Sequence, residues 1–422
     1  PADVHLGNST AHRSFMSFSY FDLDPRLLAG VRAMGFTLPT PIQAATIPAA
    51  LAGQDILGSA ETGTGKTAAY LLPLLQRLLS APAGGHKTRA LILVPTRELA
   101  LQVAEHGSHL AARADLRVAA IYGGTTMGPQ VSALKRGVDI VIATPGRLLD
   151  HAERKTISFT ALQVLVLDEA DRMLDVGFLP DLRRIVHLLP RARQTMLFSA
   201  TLVPSILDLA REVTQDAVRI QKETTVTPDA IAQTLFPVPE HLKSQVLQQL
   251  LNEEAMDSVL VFARTKHRAD RVARQLVRAN IKATVIHGDR SQSQRIAALE
   301  SFRRGHTRVL VATDIAARGI DVEGISHVIN YDVPMQPEDY VHRIGRTGRA
   351  ESSGNAYTLV TPVDEGMVHR IELVLNHKIQ RRKLAGVDYN APKFVQPDSE
   401  AIRRYVEANR RARQKPYAAH AA

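Results

Sequence analysis

The sequence predicts an α/β protein in which one architecture occurs twice, a parallel sheet covered by helices. Three observations predict it. Short β-branched and leucine-rich runs recur between longer helical stretches, and each run is apolar throughout, as strands buried on both faces require. The 422 residues exceed one ordinary domain and suit two of about 200 residues each. A polar, proline-bearing stretch, QKETTVTPD at 221–229, divides the runs into two series.

In chain order, the start PADVHLGNSTAHRSF has no apolar core of the signal-peptide kind, and residues 1–17 are expected to be a flexible segment. The first domain is expected over 18–220, with strands in DILGS, ALILVP, DIVIATP, VLVLDE and TMLFSAT. The linker follows at 221–229. The second domain, 230–385, places strands in SVLVFAR, ATVIHG, RVLVATD, HVINYD and AYTLVT. Residues 386–422 are expected to form a basic tail. Only the first half carries a phosphate-loop sequence, so one nucleotide site is expected.

Composition narrows the partners. The chain has 52 Lys and Arg against 42 Asp and Glu and an isoelectric point near 9.9, which favours an anionic partner such as nucleic acid. There is no cysteine, which excludes disulfides, thiolate metal sites and a cysteine nucleophile and suits a reducing cytoplasm. No apolar run approaches the length of a membrane span, so no membrane partner is expected.

Two segments carry chemistry. AETGTGKT at 60–67 follows the strand DILGS and precedes the helical AAYLLPLLQRLL. In that context the small residues Gly63, Thr64 and Gly65, with Thr62, let backbone N–H groups and a helix N-terminus point at phosphates. Lys66 would neutralise the β- and γ-phosphates and the Thr67 hydroxyl would ligate Mg²⁺. Ala60 stands where the generic pattern has its first glycine. The run VLVL then ends in Asp168, Glu169, Ala170 and Asp171. A buried strand that delivers adjacent carboxylates beside a triphosphate suits Asp168 to hold the metal, through water, and Glu169 to orient and deprotonate the attacking water.

The order of further motifs is specific. The chain shows GFTLPTPIQ at 35–43, AETGTGKT, PTREL at 95–99, Gly123-Gly124, TPGR at 144–147, DEAD, and SAT at 199–201. The second half adds VFART, HGDRSQSQR at 287–295, ATDIAARGID at 312–321 and HRIGRTGR at 342–349. Over roughly 18–360 this resembles the DEAD-box RNA helicase family, and its compact form resembles the bacterial RhlE type. The resemblance implies two tandem RecA-like domains with a cleft between them and an ATP-dependent RNA helicase that needs ATP and Mg²⁺.

It also implies roles for single residues. Phe36 would offer a flat face to adenine and Gln43 an amide for its N6 and N7 edge. Arg346 and Arg349 would be arginine fingers, and Asp321 would contact the ribose. One RNA track would run over Pro95, Thr96, Arg97, Gly124, Thr144, Pro145 and Arg147 of the first domain. It would continue over Arg264, Gly288, Gln292, Arg295 and Thr313 of the second. These segments are rich in groups that donate to phosphates and sugars, so little sequence specificity is expected. Ser199 and Thr201 would link Asp171 and His342 across the closed cleft, or cap a helix, or both. Closure on ATP and RNA would bend one strand and separate short duplexes without long-range translocation.

The expected protein is a cytoplasmic monomer that acts on single-stranded and short duplex RNA, with RNA-processing or ribosome-assembly partners. Two other classes stay open, a related DNA helicase or translocase and an ATP-gated RNA clamp. Residues 378–422 hold eleven Lys and Arg against four Asp and Glu. Their segment DSEAIRRYVEANRRARQK predicts an amphipathic helix from Asp398 or Ser399, which either anchors RNA or docks on the second domain with a solvated face.

Overall fold

The computed structural model describes residues 3–5, 17–60, 63–81, 87–221, 231–253, 256–317, 325–348, 354–392 and 407. The first sheet contains β1 (Asp3–His5), β2 (Ile56–Ser59), β3 (Ala90–Leu93), β4 (Val118–Ile121), β5 (Ile140–Ala143), β6 (Val164–Leu167), β7 (Gln194–Ser199) and β8 (Val218–Gln221). The second contains β9 (Ile231–Pro237), β10 (Val259–Phe262), β11 (Ala283–Ile286), β12 (Val309–Ala312), β13 (His327–Asn330), β14 (Gly354–Val360) and β15 (Gln380–Arg381). Their orders are β1-β8-β2-β7-β6-β3-β5-β4 and β11-β12-β10-β13-β14-β9-β15. Every pairing is parallel.

All ten apolar runs are strands. Their alternation builds two cores per sheet: Ile92, Ile142 and Val166 face one layer of helices, while Leu93, Val141 and Leu167 face the other. In the second sheet Val261 and Val311 enter one core and Leu260 and Leu310 the other. The sequence reading passed over β1, β4, β8, β9 and β15. β8, β9 and β15 mix polar with apolar residues because they are covered less completely, as in VRIQ of β8.

Three boundaries are corrected. Asp3–His5, inside the stretch expected to be flexible, pairs with β8 as an edge strand. Gln221, expected to open the linker, is the last residue of β8, and the rest of the linker lies outside the described residues. The second domain does not end at 385. Val387, Tyr389 and Ala391 pack on its core, the Tyr389 hydroxyl accepts the Leu384 N–H at 2.9 Å, and His241 Nε2 meets the Ala391 carbonyl at 2.8 Å. The expected tail helix also lies outside the described residues, apart from a helical Glu407.

The helix Pro25–Ala33 meets the helix Arg97–Leu110, which follows PTREL, at Gly30. A Cβ there would lie 2.8 Å from Leu110 Cα, and the obstruction is backbone that cannot rotate away. Gly30→Ala is therefore expected to destabilise the first domain by about 1–3 kcal/mol despite its better helix propensity, as overpacking does. Urea unfolding checks this, and equal or greater stability would contradict it.

Candidate active site at the domain cleft

The phosphate loop is set by its neighbours. The Ala60 N–H donates to the Ser199 carbonyl of β7 at 3.1 Å, and the buried Lys66 Nζ donates to the Ala60 carbonyl at 2.6 Å. Gly63 and Gly65 hold φ of 83° and 90°, which residues with a Cβ avoid. Gly65 precedes the helix Lys66–Ser80, whose free N–H groups form an anion site. Thr64 offers its carbonyl to the Thr40 hydroxyl at 2.8 Å, and Thr67 is half-buried. Thr62 lies outside the described residues.

Gln43 has partners within the protein that the sequence did not indicate. Its Oε1 accepts the Thr40 N–H at 2.9 Å and its Nε2 donates to the Gly65 carbonyl at 3.1 Å, with only 3% of the residue exposed. A Cβ on Gly65 would lie 2.5 Å from that Nε2. The amide therefore braces the phosphate loop, and an adenine edge would have to share it. Phe36 is half-buried, with one face toward Phe18 at 6.4 Å between ring centroids.

β6 delivers its carboxylates into a buried, charged setting. Asp168 Oδ1 accepts the Glu169 N–H at 2.9 Å, and Oδ2 accepts the hydroxyl of Tyr70 at 2.9 Å. Burial pushes the Asp168 carboxyl up, against the pull of Lys66. Glu169 adopts a left-handed backbone, φ 52°, strain of a kind that collects at functional sites. Burial would push its carboxyl up too, but Arg172, which pairs with it directly, together with Arg346 and Lys66, holds it below the ordinary range. Tyr70 and Arg172 were missed in the sequence. Tyr70 had one signal, a single aromatic residue in an aliphatic helix one turn after Lys66.

The second domain completes the cleft. Lys66, Glu169 and Asp171 line it from one side and His342, Gly345 and Arg346 from the other. Asp171 Oδ2 accepts the N–H groups of Ala200 and Thr201 at 3.0 and 3.2 Å, and the Ser199 hydroxyl donates to the Thr201 carbonyl at 2.7 Å. Asp171, Ser199 and Thr201 are thus gathered together, with His342 on the same cleft. Arg343 is buried instead: it donates to both Asp314 oxygens at 2.6 and 2.7 Å and to Asn330 Oδ1 at 3.0 Å, which fixes the helix Pro337–Ile344 that carries the cleft residues. Arg349 and Asp321 lie outside the described residues.

The expected track residues fall around the same junction. Thr96 caps the helix Arg97–Leu110 by accepting the Leu99 N–H at 3.3 Å, after a buried Pro95. The Arg97 guanidinium lies against Gly124, whose φ of 77° favours glycine there. Arg147 donates to the Thr125 carbonyl at 3.0 Å, beside buried Thr144 and Pro145. In the second domain the exposed Arg264 is held by Asp332 and Asp364, Gly288 is exposed, and Thr313 opens the short helix Asp314–Ala317.

Gln292 and Arg295 do something the sequence did not indicate. They cross to the first domain and grip Glu98 of PTREL, Gln292 Nε2 at 3.2 Å and the Arg295 guanidinium at 2.9 Å. Beneath the first-domain track, His151 is fully buried, with Nδ1 at 2.7 Å from the Thr156 hydroxyl and Nε2 at 3.2 Å from Gln130 Oε1. Gln130 in turn donates to the Tyr122 carbonyl and the Thr125 hydroxyl, both at 3.0 Å, and so props the Gly123-Gly124 turn.

Comparison with known proteins bears on this geometry. Residues 40–209 match the DEAD/DEAH box helicase model and 242–351 the helicase conserved C-terminal domain. The DEAD-box ATP-dependent RNA helicase CshA of Bacillus licheniformis is 41% identical over 395 residues, 93% of this chain and 80% of that protein. The ATP-dependent RNA helicase CshA of Listeria monocytogenes is 44% identical over 365 residues, 86% of this chain and 69% of that one. The structure of Saccharomyces cerevisiae Dbp5 bound to RNA and ADP BeF3 aligns with a TM-score of 0.79 at 31% identity, over 87% of this chain and 95% of that chain. The likeness to bacterial helicases therefore holds, while RhlE is a finer division than these CshA relatives support.

Two outcomes follow from the site. Gln43→Ala removes the brace on Gly65, so affinity for ADP and ATP should both fall in calorimetric titration; loss confined to discrimination between ATP and GTP would contradict the bracing role. Burial, reinforced by Arg147, lowers the His151 pKa from 6.5. Above 6.5 both folded and unfolded states leave this histidine neutral, whereas below it the unfolded state takes up a proton that the folded state resists, so stability should fall as pH falls. Comparing pH-dependent melting of the wild type with His151→Gln checks this: the variant should lose that component, and identical profiles would contradict it.

Proposed function

The chain belongs to the DEAD-box family of ATP-dependent RNA helicases, and on that premise we propose a division of labour in which RNA holds the two domains together, the closed cleft hydrolyses ATP, and short duplexes are separated locally. The observation that carries this is the single cleft in which Lys66 and Glu169 of one domain meet Arg346 of the other. Neither domain alone holds the set.

Lys66 would leave the Ala60 carbonyl for the β- and γ-phosphates, next to the helix N-terminus of the loop. Glu169, ionised by its cationic neighbours, would orient a water and take its proton. Arg346 would neutralise charge as it develops on the transferred phosphoryl group. The Thr67 hydroxyl and the Asp168 carboxylate are oxygen donors of the kind Mg²⁺ takes, and one carboxylate with phosphates suits that ion better than an all-protein cage. Held there, the ion would supply positive charge to the phosphates. Asp168 is kept in place for this by Tyr70 and by the Glu169 N–H.

RNA would run over Thr96, Arg97, Gly124 and Arg147, then over Arg264, Gln292, Arg295 and Thr313. These contacts read backbone rather than bases, so specificity would be low and the 2′-OH would distinguish RNA from DNA. Mg²⁺ dependence, a monomeric state and RNA-processing partners belong to the same reading.

Glu169→Gln is expected to keep ATP and RNA binding while turnover falls by about 10²–10⁴-fold. Lys66→Ala should weaken nucleotide binding itself. Steady-state ATPase assays with single-stranded RNA or DNA, paired with binding titrations, check both, and near wild-type turnover in Glu169→Gln would refute the assignment. Equal stimulation by DNA would refute the RNA preference.

A further inference from the structure

A cavity of about 770 Å³ opens on the second domain and shares no lining residue with the nucleotide cleft. Its floor is β11, the outermost strand of the second sheet. Its walls are the helices Lys266–Arg278 and Gln292–Arg303, which pack on opposite faces of that sheet. Ala269, Val272 and Leu276 join one core, and Leu299 and Phe302 join the other. The groove therefore runs along the bare edge between the two helix layers.

Among the described residues β11 is paired on one side only, with β12. The carbonyls of Lys282 and Ile286 accept the N–H groups of Val309 and Thr313. Since successive residues of a strand turn their backbone groups to opposite edges, Ala283 and Val285 direct N–H and C=O outward along the groove floor. An open row of this kind is a template for another strand. Small side chains leave room for one: Ala273, Ala297 and Ala298 line the walls, and Val277, 55% exposed, adds an apolar rim.

Charge selects the occupant. Arg274, Arg278 and Arg290 line the groove, and its single carboxylate, Asp270, is already engaged by Arg290 at 2.6 Å and His287 at 3.2 Å. We propose that this groove binds an extended acidic segment of a partner protein, which adds to β11 as an eighth strand, sets small apolar side chains against the alanines and directs Asp or Glu toward Arg274 and Arg278. The basic C-terminal tail of this chain has the wrong sign for it. Single-stranded RNA fits it poorly, because no aromatic side chain lines the groove to stack a base.

The test uses the full chain and a fluorescein-labelled octapeptide of alternating glutamate and valine, with the lysine–valine counterpart as control. Fluorescence anisotropy should show binding of the acidic peptide alone. The double variant Arg274→Glu/Arg278→Glu changes only exposed side chains, so RNA-stimulated ATP turnover should be unchanged. In it, affinity for the acidic peptide should fall about tenfold or more, with the lysine peptide preferred instead. Hydrogen exchange should slow at the amides of Ala283 and Val285 when the acidic peptide is bound. Unchanged affinity in the double variant, or no protection at those two amides, overturns the proposal. So does peptide binding that appears only after removal of 393–422, which would make the tail the occupant. Failure of the peptide to bind, with loss of oligouridylate affinity in the double variant, would make the groove a nucleic-acid surface and overturn it equally.

Discussion

Two adjacent carboxylates buried at the end of one strand repel each other and lose their hydration, and the rest of the cleft is arranged around that cost. Asp168 and Glu169 are 3% and 6% exposed. Lys66 supplies positive charge from the phosphate loop, Arg172 from the next turn of chain, and Arg346 from the other domain. The first two belong to the first domain and are always present. The third comes from the other domain, so the charge balance of these carboxylates is tied to domain arrangement. A nucleotide would change that balance further, since its phosphates compete for the same cations. Tyr70 adds a neutral donor to Asp168, without a further cation in the site.

Parallel strands explain why so many separate segments converge. In such a sheet every strand ends on the same edge, and connections leave from that edge. The phosphate loop follows β2, PTREL follows β3, TPGR follows β5, DEAD follows β6 and SAT follows β7. In the second sheet, VFART follows β10, HGDRSQSQR follows β11 and ATD follows β12. Sequence-distant turns thus become neighbours through ordinary ladder pairing. The Asp168 N–H bonding the Leu93 carbonyl and the Ala60 N–H bonding the Ser199 carbonyl carry that pairing into the site itself. Glu98, Gln292 and Arg295 show the same convergence across the cleft. One carboxylate occupies an arginine and an amide of the expected RNA track and ties the two domains at that point.

The fold class and most of the chemistry were legible in the sequence because both depend on local pattern. An apolar run of four residues bounded by a functional turn identifies a buried strand, and Lys66 with Asp168 and Glu169 identifies a triphosphate site, without knowledge of any contact. The strands β8 and β9 were illegible because partial cover lets polar residues in, and their pairing is decided by neighbours rather than by propensity. Gln43 shows a different limit. Its residue type was informative, but an amide can serve a base edge or a carbonyl equally well, and its contact with Gly65 depends on a fold that residue type does not reveal.

The sequence by itself determined two parallel α/β domains, a single nucleotide site in the first, and the residue types that could cradle phosphate, hold a metal and activate water. Hydrophobic periodicity and motif chemistry are properties of short segments, which is why they survive without coordinates. Tertiary structure alone decided that Arg343 is a buried anchor while Arg346 faces the cleft, that Tyr70 supports Asp168, that Glu98 bridges the domains, and that β11 is left with an open edge. Each of these depends on which groups from distant segments share one volume. Burial and pairing of charge are set by that sharing, not by the identity of the residue.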